Sequence, residues 1–228
     1  MNTTALGARS AGEQLRSRLV GLGAGLMLAL VACIAHLERS ELASGALDRS
    51  LFGVVFGWAL PLTAFLVVSD ICSQRRLAFG FDRLARFGHS RRSLVAGSLG
   101  VAGVLTALLS VLYVWVALGI AGSSPSPQLL GDGLIASWIA ALGGISYVAW
   151  FAFWSSVGRN GGGRFIGLIL DWGFGLGSTF GASLVPRGHL RNLLGGLPPI
   201  GLGQGSSSLF LLGLFAVCLA LALWRVDP

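Results

Sequence analysis

The sequence of 228 residues contains no lysine, and its sixteen basic residues are all arginine. The phosphate-binding loop GxxxxGK(S/T) needs a lysine to reach the phosphates, so this chain cannot hydrolyse ATP through such a loop. Retinal and pyridoxal phosphate attach to proteins as Schiff bases with a lysine amine, so the chain cannot carry either cofactor in that way. The zinc-protease motif HExxH is also absent. These absences exclude several classes of ATPase and enzyme.

Cysteine is scarce and charge is sparse. The three cysteines, Cys33, Cys72 and Cys218, show no CxxC spacing, and the three histidines are far apart in the chain. The sequence therefore predicts neither a disulfide framework nor a metal site, and we expect no cofactor in this chain. Only 11% of the residues are charged, whereas 54% are hydrophobic. A soluble domain of this length carries about 25% charged residues, so the composition indicates a membrane protein.

Six long apolar runs account for most of the sequence. Each is long enough to cross a hydrocarbon layer roughly 30 Å thick as a helix. The predicted spans are residues 19–37, 51–69, 93–120, 133–157, 165–185 and 208–224. The predicted fold is all-α, with a six-helix transmembrane domain at residues 19–228 behind a cytoplasmic segment at residues 1–18.

The arginines are distributed unequally between the two sides of the membrane that these spans would cross. Twelve fall on one side and four on the other. The positive-inside rule therefore predicts that both termini are cytoplasmic. The net charge of +7 could suggest nucleic-acid binding. Arginines in short loops beside apolar spans are better explained by topology and by anionic membrane lipids, so we expect lipids and no nucleic acid as partners.

The inner loop, residues 70–92, is the strongest local signal. On a helix, its apolar side chains Leu77, Phe81 and Leu84 share one face. The opposite face carries Arg75, Arg76, Asp82, Arg83 and Arg86. This pattern predicts an amphipathic helix along the membrane surface with a docking role. The alternative is a solvated basic loop that only sets the topology.

Three further features concern single helices and the contacts between them. In the N-terminal segment, Leu6, Ala11, Leu15 and Leu19 lie opposite Arg9, Glu13 and Arg16, which predicts an interfacial helix. Glycines four residues apart predict close helix contacts, either within the chain or between subunits. These glycines are Gly21 and Gly25, Gly53 and Gly57, and the series Gly173, Gly177 and Gly181. Pro61 interrupts the second span and predicts a bend there.

Asp171 is the one acidic residue well inside a predicted span. A carboxylate at that depth must be paired or face water, so it indicates either a polar pathway or a structural pair with an arginine. In the fourth span, Tyr147, Trp150 and Trp154 lie on one helix face. That face is either a packing seam or a wall of a substrate path. These four residues form the candidate substrate path.

The chain resembles the membrane subunit of type-2 ATP-binding-cassette transporters. Residues 82–97, DRLARFGHSRRSLVAG, are similar to that family's second inner loop, with Ser90 and Arg91 at the step into the third span. The sequences Leu-Val-Pro ending at Pro186 and Leu-Pro-Pro ending at Pro199 resemble the family's re-entrant segment. The resemblance covers nearly the whole chain but rests on architecture and loose motifs.

The resemblance implies a permease without bond chemistry of its own. It pairs with a second copy or a paralogue, and the loop corresponding to residues 75–92 contacts a separate cytoplasmic ATPase that binds ATP and Mg²⁺. The family's usual direction implies export of a small amphiphile, drug-like compound, peptide or lipid. The arginine-only, glycine-rich and alanine-rich composition suggests a GC-rich bacterial genome, and hence the bacterial cytoplasmic membrane.

Two other classes of function remain open from the residues themselves. An intramembrane serine protease would use a Gly-x-Ser motif such as Gly181 to Ser183, but no histidine lies in the interior of another predicted span, since His36 is next to the end of the first one. A structural or assembly protein would explain the glycine-rich spans without a docking role for the inner loop. Copurification with a soluble ATPase would separate a permease from both alternatives.

Overall fold

A computed structural model of the chain describes residues 2–16, 18–40, 46–72, 76–122 and 127–226. Every regular element in these ranges is helical, which confirms the predicted all-α fold class. The α-helices are α1 Thr3–Gln14, α2 Arg18–Ser40, α3 Ala46–Arg49, α4 Leu60–Ile71, α5 Asp82–Ala85, α6 Arg91–Ala121, α7 Pro127–Ser156, α8 Gly163–Phe174, α9 Phe180–Ser183, α10 Pro186–Leu193 and α11 Gln204–Trp224. A π-helix at Ser50–Ala59 joins α3 to α4, and short 3-10 turns lie at Phe79–Phe81, Arg159–Gly161 and Pro199–Gly201.

Five of the helical segments are long and apolar enough to cross a membrane. They are Leu19–Arg39, Ser50–Ile71, Arg91–Ala121, Leu129–Ser156 and Gln204–Trp224, which overlap the first four predicted spans and the last one. Their outward side chains are large and apolar, as in Leu22 on α2, Leu108 on α6 and Leu209 on α11. A helix with such a surface suits a lipid environment because its backbone polar groups are satisfied internally. The fold is that of a multi-pass membrane protein.

The prediction of one continuous helix over residues 165–185 is wrong. Helix α8 has 12 residues and ends at Phe174, and the short helices α9 and α10 follow after a turn. At 1.5 Å per residue α8 extends about 18 Å, well short of the hydrocarbon thickness. Closely spaced glycines, Gly173, Gly175 and Gly177, weaken the helix at this point. Apolar composition extends past the break, which is why hydropathy alone did not locate it.

The second span contains an irregularity beside Pro61. Ser50–Ala59 forms a π-helix, and the N–H of Leu60 bonds to the carbonyl of Val55. The chain returns to an α-helix at Leu60, with Pro61 in its first turn. Proline has no N–H to donate, so the regular hydrogen-bond pattern is interrupted there in any case. The sequence predicted a bend at Pro61, and the structure has a π-helix that ends beside this residue.

Helices α6 and α7 form the centre of the bundle. They run antiparallel, because Leu118 lies near Gly133 while Ala107 lies near Gly144. A Cβ atom added at Gly144 would sit 3.0 Å from the backbone of Ala107, so glycine permits this close approach. Helices α2 and α4 pack on one side of the pair and α11 packs mainly on α7. The buried apolar core lies among these helices.

The predicted N-terminal helix is present as α1, and it packs directly against α6. A Cβ atom at Gly97 would lie 2.1 Å from the carbonyl oxygen of Thr4, and one at Gly7 would lie 2.2 Å from that of Leu94. The hydroxyl of Ser98 donates to the carbonyl of Gly7 at 2.9 Å. Backbone contact therefore fixes α1 on the bundle.

Several glycines that predicted close contacts make none with the residues that the structure describes. A Cβ atom added at Gly21, Gly25, Gly53 or Gly173 would meet nothing within 4 Å. The prediction of tight intramolecular packing is therefore wrong at these four positions. At Gly57 and Gly181 of the same set, an added Cβ atom would lie 3.1 Å from Arg187 and 2.6 Å from Phe174. The close helix approaches at Gly97 and Gly144 were not identified by the four-residue spacing.

Candidate functional site

Asp171 lies at the centre of a buried polar contact among three helices. It is fully buried on α8. Its Oδ2 accepts a hydrogen bond from the hydroxyl of Tyr147 on α7 at 2.7 Å, and its Oδ1 accepts one from the backbone N–H of Arg187 on α10 at 3.1 Å. Both contacts are donated to the carboxyl group, which suits an ionised carboxylate. Asp171 thus ties α8 to α7 and α10.

The contact with Arg187 supplies a helix cap that the local sequence lacks. Helix α10 begins after Val185, whose side chain makes no capping hydrogen bond, and Pro186 has no N–H to donate. The N–H of Arg187 is therefore the first that needs an acceptor, and Asp171 provides one from another helix. A carboxylate is favourable at a helix N-terminus because of the partial positive charge there.

The sequence offered two interpretations of Asp171, a polar pathway and a pair with an arginine. The structure brings Asp171 to Tyr147 and to the backbone of Arg187 rather than into an ion pair with Arg164. The Nε of Arg164 donates instead to the carbonyl of Gly161 at 3.1 Å. The described contacts of Asp171 are therefore those of a structural tie.

The aromatic face of α7 packs against α8. The indole Nε1 of Trp150 donates to the carbonyl of Gly167 at 3.1 Å. A Cβ atom at Gly167 would lie 2.6 Å from the ring of Trp154, so the glycine makes room for that side chain. Tyr147 stacks on Phe151 with ring centroids 5.9 Å apart. In this arrangement the face formed by Tyr147, Trp150 and Trp154 is a packing seam.

A second buried polar network joins α10 to α11. The Nε2 of His189 lies 2.8 Å from the carbonyl of Ser183, which can only accept, so Nε2 carries the hydrogen. In the neutral imidazole, Nδ1 then accepts from the hydroxyl of Ser207 at 3.3 Å. Asn192 donates to the same hydroxyl oxygen at 2.7 Å and to the carbonyl of Leu202 at 2.8 Å. These side chains hold the segment after α8 against the last helix.

Sequence reasoning missed this network. His189, Asn192 and Ser207 fall in a stretch predicted to be an outer loop, and their spacing matches no familiar motif. The structure buries all three. One usable clue was that this stretch contains more polar residues with hydrogen-bonding amide and imidazole groups than the neighbouring spans.

Two arginines of the predicted outer side line a cavity of about 280 Å³ beside α10. Arg187 and Arg191 line it, and Phe52, Phe56 and Leu190 are among its apolar lining residues. Arg191 also donates to the carbonyl of Leu176. The cavity combines apolar walls with two guanidinium groups, an environment that suits an amphiphile with a negatively charged group.

The inner loop is fixed to the helix ends by its apolar residues. Leu77 and Phe81 are almost completely buried, and Leu84 is half-buried against the core. Asp82 forms an ion pair with Arg91, the first residue of α6, at 2.9 Å. Arg76 donates through Nε to the carbonyl of Gly158, in the turn between α7 and α8. Ser90 caps α6, because its Oγ accepts from the N–H of Ser93 at 3.5 Å.

The inner loop does not form the single amphipathic helix on the membrane surface that the sequence predicted, so this prediction is wrong. The loop folds as the 3-10 turn Phe79–Phe81 followed by the single helical turn α5, which includes Arg83. Its apolar residues face the protein, because Leu77 and Phe81 are buried in the chain's own core rather than exposed to lipid. Arg75 lies outside the described residues.

The opposite side of the inner loop is exposed. Arg86 is exposed, and 81% of the surface of Phe87 is accessible. The loop thus presents a basic and an aromatic side chain next to each other, on a segment whose other side is anchored in the bundle. Arginine and aromatic residues are enriched at protein interfaces. We call the pair Arg86 and Phe87 the loop tip.

Comparison of the chain with protein-family models found no match, and comparison with curated proteins found no significant match. Among the residues that the structure describes, no group of three or more histidine, cysteine, aspartate or glutamate side chains could hold a metal ion.

Proposed function

We propose that this chain is the membrane-spanning subunit of a type-2 ATP-binding-cassette exporter in a bacterial cytoplasmic membrane. It works as a dimer with a second copy or a paralogue, and a separate cytoplasmic ATPase binds ATP and Mg²⁺. The observation that carries the proposal is the inner loop, whose inward side is anchored in the bundle while its tip is exposed.

The contacts of the inner loop suit it to transmit movement. Its backbone at Gly80 lies against Ile71 at the end of α4, where an added Cβ atom would be 3.1 Å from the carbonyl oxygen. The ion pair of Asp82 with Arg91 links it to the start of α6, and the bond from Arg76 to Gly158 links it to the turn before α8. A displacement of the loop would therefore act on three helices at once, as a lever in a rigid-body transition requires.

The broken segment after α8 supports the same proposal. It consists of short helices and returns to α11 through the turn at Pro199–Gly201. Its position before the last helix and its prolines resemble the re-entrant segment of the proposed family. In the proposed cycle, α8 and α10 separate from α7, which opens the seam at Tyr147, Trp150, Trp154 and Asp171 to cargo.

The cargo we propose is a small amphiphile, a drug-like compound, a peptide or a lipid. The seam that would open to it is apolar and aromatic, and its charged groups are Asp171 and the neighbouring Arg187. A largely apolar site with few polar groups suits a ligand that has both characters.

The proposal is tested by copurification and ATP hydrolysis. The tagged chain should copurify with a soluble ATPase, and reconstituted vesicles should hydrolyse ATP. Arg86→Glu and Phe87→Ala alter the loop tip, whereas Leu84→Glu places a charge against the core. Each should weaken ATPase binding by about fivefold or more, because an interface residue that contributes to binding costs more than about 1 kcal/mol when it is replaced.

Arg9→Glu is the matched control for the loop-tip variants. Arg9 is an exposed arginine on the same predicted side of the membrane, and its contact is an ion pair with Glu13 at 3.6 Å. This variant should bind the ATPase normally. If no ATPase copurifies with the native chain, the permease proposal fails, and a structural protein or an intramembrane enzyme becomes the better explanation.

A further inference from the structure

A cavity of about 190 Å³ lies where three long apolar helices end on the predicted cytoplasmic side. Its walls come from the inner loop, from the start of α6, from the end of α7 and from the residues after α11. The polar residues that line it are Arg76, Asp82, Arg91, Ser156 and Arg225. Since a water molecule occupies about 30 Å³ in the liquid, the cavity has room for a small charged group.

Positive charge dominates this cavity. Among the described residues that line it, the one carboxylate is that of Asp82, which is paired with Arg91 at 2.9 Å. Arg76 donates to the carbonyl of Gly158, which is uncharged, and neither Arg76 nor Arg225 forms an ion pair with a carboxylate among the described residues. Helices α7 and α11 end here with partial negative charges of roughly half a unit each, and α6 begins here with the opposite sign. These partial charges are too small to neutralise Arg76 and Arg225 together.

The cavity lies at the level expected for lipid headgroups. Arg225 directly follows Trp224, the last residue of α11, whose side chain is exposed. Tryptophan is enriched at membrane interfaces, where its ring reaches the headgroups. Basic pockets between transmembrane helices on the cytoplasmic side suit anionic lipid headgroups.

We propose that this cavity binds the phosphate group of an anionic phospholipid from the adjacent leaflet. The guanidinium groups of Arg76 and Arg225 bind the phosphate oxygens, because the planar fork of arginine matches phosphate geometry. The bound lipid links the inner loop to the end of α11. This inference does not depend on whether the chain transports a cargo.

Native mass spectrometry of the full chain in detergent, titrated with lipid, tests the proposal. Phosphatidylglycerol should bind more tightly than phosphatidylcholine, whose headgroup has no net charge. Arg225→Gln and Arg76→Gln should each weaken phosphatidylglycerol binding by about fivefold, the effect of one arginine near an anionic lipid surface. Arg225→Lys should retain more of the binding than Arg225→Gln because it keeps the charge.

Arg9→Gln is the control, since Arg9 is an exposed arginine outside the cavity. It should bind phosphatidylglycerol like the native chain. The site would be overturned if Arg225→Gln and Arg76→Gln bound phosphatidylglycerol as tightly as the native chain does. It would also be overturned if Arg9→Gln weakened the binding as much as they do, because the lipid would then be attracted by overall charge. Titration with inorganic phosphate alone distinguishes the source of the ligand. If inorganic phosphate binds, its binding requires the arginines, and phosphatidylglycerol does not displace it, the assignment of the ligand as a phospholipid is wrong.

Discussion

The hydrogen bond between Tyr147 and Asp171 should contribute measurably to stability, and Tyr147→Phe tests this directly. The substitution removes the hydroxyl that donates to Oδ2 at 2.7 Å and leaves a fully buried carboxyl oxygen without that partner. A hydrogen bond to a charged group contributes about 1.5–3 kcal/mol, so we expect a loss of this size in the free energy of unfolding.

Asp171→Ala should cost more, because it leaves two buried donors without an acceptor, the hydroxyl of Tyr147 and the N–H of Arg187. Each unsatisfied donor costs about 1–3 kcal/mol, which gives a total of roughly 2–6 kcal/mol. Asp171→Asn should cost less than Asp171→Ala, because the amide oxygen still accepts from Arg187 and the hydroxyl of Tyr147 can accept from the amide nitrogen. Unfolding of the purified variants in detergent, by heat or denaturant, measures this order.

A double-mutant cycle separates the hydrogen bond from other effects of the substitutions. Tyr147→Phe combined with Asp171→Ala should cost about 1–3 kcal/mol less than the sum of the single losses, because both remove the same bond. Tyr113→Phe is a matched control, since the Tyr113 hydroxyl is also buried but its partners are uncharged, the hydroxyl of Thr63 at 3.0 Å and the carbonyl of Ala24 at 3.5 Å. It should cost only about 0.5–1.5 kcal/mol. Additive losses in the cycle would refute the coupling.

Two further predictions concern packing and topology. Gly97→Ala should destabilise the protein by about 1–3 kcal/mol, because the added Cβ atom would meet the backbone of α1. Gly100→Ala, in the same helix, is the control, since its added Cβ atom would meet no described residue within 4 Å. This variant should be neutral or slightly stabilising. Equal thermal stability of the two variants would contradict this packing. In a Cys33→Ser background, which leaves two buried cysteines, an impermeant thiol reagent outside intact cells should label Ser206→Cys and not Ser90→Cys. The opposite labelling pattern would reverse the predicted orientation.

The sequence predicted the long helices well because each is marked by the apolar composition of its own continuous segment. Residues 93–120 and 133–157 are largely apolar and contain no charged residue, and helices cover both ranges except for the final residue, Val157. The end of α8 was also encoded locally, in the series Gly173, Gly175 and Gly177. It was missed because apolar composition continues past these glycines and dominates a hydropathy average.

The role of Asp171 could not be derived from the sequence. Its partners are 24 residues before it and 16 residues after it, and one of them is a backbone N–H that carries no residue-specific signal. The packing of α1 depends similarly on a contact between Gly97 and Thr4, which are far apart in the chain. Such contacts follow from the arrangement of helices rather than from local periodicity.

The inner loop was predicted in part. The burial of Leu77 and Phe81 agrees with the apolar face found by periodicity. This apolar face could have been covered either by lipid or by the protein's own core. Both are apolar, so the periodicity of the sequence could not distinguish between them. The contacts that anchor the loop, from Asp82 to Arg91 and from Arg76 to Gly158, leave the loop tip as the part open to a partner.

Cross-linking from the loop tip tests the central claim most directly. The native chain contains no lysine, so a thiol–amine cross-linker attached through His89→Cys, beside the loop tip, can react within the chain only at the N-terminal amino group. In a Cys33→Ser background, the proposal predicts a specific adduct between this position and lysines of a soluble ATPase that carries the sequence GxxxxGK(S/T). Leu130→Cys, exposed near the start of α7, should give no such adduct. An intact, correctly inserted His89→Cys variant that forms no ATPase adduct in cells that make the partner would contradict the account.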